Sequence, residues 1–122
     1  MSDTMQRDIQ ALYAQADQAT SLATLLPALF DVLRRNSESL AGTSYAYRLT
    51  TADTGFTCAF ALRNGAFAAL SDGDAVDVTV TGTEANLLAV FQRKLNPLKA
   101  ILLRKITVDG SMAALTKLAS YL

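Results

Sequence analysis

The sequence predicts one α+β domain in which helices pack on one face of a five-stranded sheet, and three observations lead to this fold class. The chain has 122 residues, which is enough for a single hydrophobic core. Apolar residues recur at helical spacing in the first third and the last third, and they alternate at period two in between. An Asn64-Gly65 pair between two alternating runs is a strong signal of a β-hairpin.

The first two elements are predicted to be helical. A weak apolar stripe within residues 1–20 predicts a short helix or an N-terminal arm, followed by a domain over residues 21–122. A stronger stripe runs from Leu22 to Leu33. Because a proline inside a helix is unfavourable, we expect Pro27 in the first turn of a helix that ends near Ser39.

The middle and the end of the chain supply the strands and the remaining helices. Period-two alternation predicts strands at 45–50, 56–63, 66–70, 76–81 and 105–109. Helical spacing predicts helices at 84–94 and 97–103 and a last helix capped by Ser111. No linker or repeat interrupts this order, which supports a single domain.

Composition excludes several classes of function. Eleven Lys and Arg balance eleven Asp and Glu, which argues against a dedicated nucleic-acid binder. The chain has no His and one Cys, which excludes a disulfide framework, a Cys/His zinc site and a His-based catalytic triad within it. We therefore expect no catalytic residue, no metal and no cofactor. The polar amino terminus and the lack of a long apolar run predict a soluble, cytoplasmic protein.

Two weaker candidates are better explained by structure than by chemistry. Cys58 shares the predicted strand face of Phe56 and Phe60, where a free thiol behaves as a small apolar group. Asp72, Asp74 and Asp77 resemble the start of a calcium loop, but the glutamate that such a loop needs at its twelfth position is missing. Neither signal predicts a site.

The segment 93–105 is the most distinctive part of the sequence. It contains five basic residues, no acidic residue and an apolar middle, whereas residues 1–92 carry five bases against ten acids. One interpretation is a buried helix between solvated Lys and Arg side chains. The other is a surface that docks on anionic lipid headgroups. Nucleic-acid binding is less favoured, because the interleaved residues are aliphatic and cannot stack on bases.

The order and spacing of several motifs resemble the sterol carrier protein-2 (SCP-2) like family. They are the run VDVTVTGT at 76–83, Leu87-Leu88, the run KLNP at 94–97 with Ala100, and KITVDG at 105–110 before a final helix. Leu26-Pro27 followed by Phe30 is similar to the first helix of that family. Arg93 and Arg104 stand where the family usually has glycine, which makes this region more basic.

The resemblance implies a mixed, mostly antiparallel sheet with helices enclosing an apolar cavity. Family members bind a sterol, fatty acid, acyl-CoA, phospholipid or quinone and move it between membranes without chemistry on it. The final helix would act as a lid. The cavity wall would include Phe60, Leu88, Phe91, Leu95, Leu98, Ile101, Leu102, Leu115 and Leu118. Contacts with headgroups or an anionic membrane would come from Lys94, Lys99, Arg104 and Lys105.

Two other readings of the sequence stay open. The domain could be an accessory protein-interaction or dimerisation module whose cavity is filled by its own side chains. An enzyme is the third alternative, with Cys58, Tyr or Lys as its only candidate groups.

The outer sheet face, with Ala46, Ala59 and Ala61, could face solvent or form a homodimer. The chain does not end in a Ser-Lys-Leu address, which favours a bacterial-type cytoplasmic protein over a peroxisomal one.

Overall fold

The computed structural model describes residues 3–18, 21–71, 73–92 and 94–119, which form five helices and five strands. In chain order these are α1 (Asp3–Gln18), α2 (Leu22–Arg35), β1 (Tyr45–Thr51), β2 (Thr57–Arg63), β3 (Ala66–Leu70), β4 (Val78–Gly82), α3 (Glu84–Phe91), α4 (Pro97–Leu102), β5 (Ile106–Gly110) and α5 (Met112–Ala119). The predicted α+β class is confirmed.

The strands form one sheet in the order β3-β2-β1-β4-β5. Only the β1–β4 pair is parallel, so the expectation of a mixed and mostly antiparallel sheet is also confirmed. Tyr47 pairs with Phe60 on one side and with Val78 on the other, which places all three side chains on the same face. All three are buried, and this inner face carries the core.

The prediction for Pro27 is wrong, because the residue lies inside α2 rather than in its first turn. The helix starts five residues earlier, where the Ser21 hydroxyl accepts a hydrogen bond from the Thr24 N–H. A proline at this depth removes one helical hydrogen bond. The apolar stripe that begins at Leu22 compensates, since Leu22, Leu25, Leu26 and Leu29 are all almost completely buried.

The carboxyl end of α2 also differs from the prediction, since the helix ends at Arg35 rather than near residue 39. Asn36, at the C-cap, is buried and donates its side-chain amide to the Val32 carbonyl at 2.8 Å. The same amide donates to the Asp8 carboxylate at 2.9 Å. The side chain thus satisfies a terminal carbonyl of α2 and fastens α1 to this end of the helix.

β4 begins at Val78, two residues later than predicted. Asp77 explains the difference, because its carboxylate accepts the Ala46 N–H at 2.7 Å where a strand carbonyl would otherwise bond. The Asp77 N–H still donates to the Ala46 carbonyl at 2.9 Å. The β4–β1 ladder therefore begins one residue after this side-chain contact.

An aromatic cluster joins α2 to the sheet. The Phe60 ring lies 5.2 Å from that of Tyr47 and 5.2 Å from that of Phe30. Phe67 extends the cluster to β3, with its ring 4.9 Å from Phe30 and the Arg34 guanidinium 4.6 Å above it. These contacts fix α2 across β2 and β3, on one side of the inner face.

α1 belongs to the same core. Ile9, Leu12 and Ala16 are buried at helical spacing. The Gln92 side-chain amide, just after α3, donates to the Ala16 carbonyl at 2.8 Å. With the Asn36–Asp8 contact, α1 is hydrogen-bonded at two points, to the segments that follow α3 and α2.

Candidate functional site

A cavity of about 510 Å³ lies between the inner face of the sheet and the helices. Every described helix and strand except β3 contributes to its wall. The lining residues are predominantly apolar: Tyr13, Leu29, Tyr47, Leu49, Phe60, Val80, Leu87, Val90, Phe91, Leu95, Asn96, Pro97, Leu98, Ile106, Met112, Leu115, Thr116 and Leu118. Its size falls within the range of small-molecule sites.

The floor of the cavity comes from the sheet. Tyr47, Phe60 and Ile106 are buried, and they present apolar surface on β1, β2 and β5. The Tyr47 hydroxyl donates a buried hydrogen bond to the Ala114 carbonyl of α5 at 2.8 Å. This bond satisfies the phenol and ties the floor to the helix that forms the opposite wall.

The helices supply the rest of the wall. α3 contributes Leu87, Val90 and Phe91, and α5 contributes Met112, Leu115, Thr116 and Leu118. α1 contributes Tyr13, which the sequence placed on an apolar stripe but did not assign to a site. Asn96 is a second lining residue that the sequence analysis did not select. It caps α4, because its side-chain Oδ1 accepts the Leu98 N–H at 2.9 Å and the Lys99 N–H at 3.2 Å.

The structure brings together six of the nine residues predicted to form the cavity wall: Phe60, Phe91, Leu95, Leu98, Leu115 and Leu118. The other three lie elsewhere. Leu88 is buried in the core, Ile101 is half-buried and packs against the core, and Leu102 is 82% exposed. Nearly the whole circumference of 98–103 is apolar, so the sequence carries no period that would separate its cavity side from its outer side.

The interpretation of 98–103 as a buried helix is therefore wrong. Within α4 only Ala100 is buried, while Leu98 is 62% exposed. We use the term apolar rim for the four large apolar side chains that the described part of the chain leaves exposed: Leu98, Leu102, Leu103 and Met112. Leu98 and Met112 also line the cavity, so the apolar rim borders its mouth.

α4 ends in a hydrogen-bonded turn that requires a left-handed residue. The Arg104 N–H donates to the Ile101 carbonyl at 3.1 Å, and the Lys105 N–H donates to the Ala100 carbonyl at 2.8 Å. This pattern usually has glycine at the position of Arg104, whose φ is 59°. A side chain there costs about 1 kcal/mol of backbone strain. Lys94, Lys99, Arg104 and Lys105 are all exposed.

The residues that the structure describes contain neither a metal-ion cluster nor a membrane-spanning helix. Among them, no three or more His, Cys, Asp or Glu side chains are grouped so that they could hold a metal ion. No helix in this part of the chain is long and apolar enough to cross a membrane.

Solved structures share the fold. The sec-alkylsulfatase Pisa1 from Pseudomonas sp. matches with a TM-score of 0.62 and 26% identity, over 77% of this chain and 15% of that chain. Palmitated SCP2L2 from Aedes aegypti matches with a TM-score of 0.57 and 20% identity, over 83% of this chain and 93% of that one. Sterol carrier protein 2 from Yarrowia lipolytica, in its apo form, matches with a TM-score of 0.53 and 18% identity, over 77% of this chain and 86% of that one.

This chain thus corresponds to a small part of the alkylsulfatase and to most of each carrier protein. No curated protein matches its sequence. The sequence pattern of the SCP-2 sterol transfer family matches residues 22–122, so that α1 lies before the matched segment. With this match over most of its length and the fold of the carriers, the chain belongs to the SCP-2 sterol transfer family.

Proposed function

We propose that the protein binds one lipid molecule in the cavity and carries it between membranes without changing it chemically. The observation that carries this proposal is the apolar cavity of about 510 Å³ between the sheet and the helices. Membership of a sterol transfer family supports lipid binding in general terms. The Aedes aegypti relative in its palmitated form supports a fatty acyl chain as one class of cargo.

The size of the cavity favours one acyl chain over the two chains of a phospholipid. If a methylene group takes about the 30 Å³ that a water molecule takes in the liquid, the cavity holds roughly 17 such groups. Each methylene removed from water contributes about 0.8 kcal/mol. Affinity should therefore rise with chain length and level off when the cavity is full.

Uptake of a fluorescent fatty acid tests the cavity. Phe91 lines it, and Phe91→Asp places a carboxylate in the apolar wall, so we expect the affinity for the fatty acid to fall about tenfold or more. Leu70→Asp is the matched control, because Leu70 is also half-buried but lies on β3, the strand that does not contribute to the wall. Equal uptake by two folded variants would contradict the assignment of the cavity.

We propose that the carrier has no catalytic residue and needs no cofactor or metal. Native mass spectrometry of the purified protein, followed by organic extraction, tests this directly. A bound lipid that is recovered with unchanged mass after incubation supports a carrier, and a chemically altered lipid contradicts it. The single thiol, Cys58, is consistent with action in the cytoplasm of a bacterial-type cell.

For delivery, we propose that Lys94, Lys99, Arg104 and Lys105 contact anionic headgroups. All four side chains are exposed, and they lie in a sequence segment without an acidic residue. Loss of cargo transfer to anionic acceptor vesicles in a variant with all four replaced by Gln is the expected result. Transfer at the rate of the unmodified protein would contradict this role.

A second candidate function is an accessory module of a larger enzyme. The observation that favours it is the alkylsulfatase, in which the matching region is 15% of the chain. Two results together would favour this alternative over the carrier: a native mass equal to that of the protein without bound lipid, and a stoichiometric protein partner in a pull-down.

A further inference from the structure

The apolar rim is a surface feature that the core does not explain and that the cavity explains only for Leu98 and Met112. Leu102 is 82% exposed, Leu98 62%, Leu103 55% and Met112 43%. Leu98 and Leu102 are one helical turn apart, so both project from the same side of α4. Three of the four, Leu98, Leu102 and Leu103, lie on α4 and at its C-cap, and such a local group of exposed large apolar residues marks a contact with another molecule or a membrane.

The charges around the apolar rim select the kind of partner. Lys99 lies within α4, and Lys94, Arg104 and Lys105 flank it, all exposed. Residues 93–105 include no Asp or Glu. Residues 93–122 carry six bases against one acid, while residues 1–92 carry five against ten. Exposed leucines and exposed bases within one short segment complement a surface that is anionic outside and apolar beneath.

We propose that the apolar rim inserts into the surface of an anionic lipid bilayer and that Arg104 is a specificity-determining residue for anionic lipid. Insertion places the mouth of the cavity against the acyl chains, because Leu98 and Met112 belong both to the apolar rim and to the cavity wall. Docking itself needs no cargo. Its role in cargo exchange rests on the proposed function.

The conformation of Arg104 supports this assignment. Its φ of 59° lies where glycine is favoured, so the backbone turn alone gives no reason for a side chain there. The charge it adds stands two residues from Leu102 and next to Leu103, at the edge of the apolar rim. Arginine at this point increases attraction to phosphate-bearing headgroups.

A second copy of this chain fits the surface less well than a bilayer does. In a two-fold dimer the same patch faces itself, so Lys99, Arg104 and Lys105 of both copies would approach one another. Like charges that meet across an interface oppose association. Acyl chains, by contrast, accept the leucines, and anionic headgroups accept the surrounding bases.

A tryptophan reporter tests insertion, because the chain contains no Trp. Leu102→Trp is mixed with vesicles of equal parts phosphatidylglycerol and phosphatidylcholine, and separately with pure phosphatidylcholine vesicles. We expect a blue shift of the emission with the anionic vesicles only. Ala66→Trp, on the exposed part of the edge strand β3, is the control and is expected to show no shift.

Arg104→Gly tests specificity, since glycine keeps the left-handed turn. We expect co-sedimentation with the anionic vesicles to weaken about fivefold, the effect of one base near an anionic surface, and the difference to shrink in high salt. Unchanged binding would show that Arg104 does not determine the specificity for anionic lipid. Equal emission shifts for both tryptophan variants would overturn the docking surface in favour of non-specific binding. A Leu102→Trp shift that depends on protein concentration in the absence of vesicles would overturn it in favour of a second copy of the chain.

Fatty acid uptake without vesicles is measured in parallel on the full chain and separates the two proposals. Docking with no uptake contradicts the cavity and leaves the bilayer contact standing. Uptake with no docking supports the cavity and overturns the bilayer contact.

Discussion

Among the residues that the structure describes, two other than glycine have positive φ, and only one of them gains a hydrogen bond that explains this conformation. Asn64 has φ 50°, and its side-chain carbonyl accepts the Gly42 N–H at 2.8 Å, which ties the β2–β3 turn to the loop before β1. Asparagine also tolerates this region better than most residues. Arg104 has φ 59° without that tolerance.

Replacing each of the two by glycine should therefore give different results. Arg104→Gly is expected to raise the free energy of unfolding by about 0.5–1 kcal/mol, because it removes backbone strain. Asn64→Gly relieves little strain and loses the bond to Gly42, so it should give no gain. Urea unfolding of both variants checks this, and equal gains would show that strain at Arg104 is not distinctive.

Two glycines with positive φ make a second matched pair. A Cβ on Gly65 would lie 2.5 Å from the Ser37 carbonyl oxygen and 2.7 Å from the Leu40 carbonyl carbon, whereas a Cβ on Gly55 would meet nothing within 4 Å. Gly55→Ala should cost only the conformational penalty, about 1 kcal/mol. Gly65→Ala should cost at least about 3 kcal/mol, since backbone must also move. Thermal unfolding distinguishes these values, and similar losses would contradict the close approach.

At the scale of elements, the starts of two helices are stabilised by side chains from other segments. The Glu84 N–H, at the start of α3, donates to the Asp53 carboxylate at 3.0 Å. The Glu84 carboxylate in turn accepts the Leu22 N–H, at the start of α2, at 2.9 Å. Glu84 therefore links two helix N-termini that are 62 residues apart in sequence.

Glu84→Ala should lower the free energy of unfolding by about 1 kcal/mol, because the Leu22 N–H loses its partner and the helix terminus loses a favourable charge. Glu84→Gln keeps an acceptor and is expected to lose less. The comparison is made by urea unfolding at neutral pH. A glutamine variant as unstable as the alanine variant would mean that the charge, rather than the hydrogen bond, supplies the effect.

The types of the elements could be predicted from sequence because their apolar periods differ clearly. The Asn64-Gly65 turn and the alternation in β1 and β2 led to the correct hairpins. Pro27 misled the prediction because its local penalty is smaller than the burial of the leucines around it. Asp77 shortened β4 through a side-chain contact with β1, a distant pairing that no local pattern encodes.

The site was only partly predictable for similar reasons. Phe91 and Leu115 follow from resemblance and helical spacing together. Leu102 does not, since the short apolar helix α4 has no polar side to orient it. Tyr13 reaches the cavity only because α1 packs beside α2 and α3, which is a property of the assembled molecule.

At the scale of the whole molecule, the cavity exists only when the chain is completely folded. Its wall extends in sequence from Tyr13 to Leu118 and includes nine of the ten elements. Partly unfolded states therefore lack an intact cavity, and a lipid bound there, as proposed, would stabilise only the native state.

Thermal unfolding with and without fatty acid tests this coupling. At a hundred times the dissociation constant, cargo should add about 2.7 kcal/mol of stability. For a domain of this size we expect a rise in Tm of roughly 10 °C. Phe91→Asp should show little of this rise while Leu70→Asp shows most of it, and equal rises for the two variants would mean that the fatty acid binds outside the cavity.

The bond between Tyr47 and Ala114 fixes one point of α5 to the sheet. On α5, Met112 lies two residues before this anchor, and Leu118 lies four residues after it, about one helical turn away. Both residues therefore reach the cavity from a helix whose position is fixed by one buried hydrogen bond to β1.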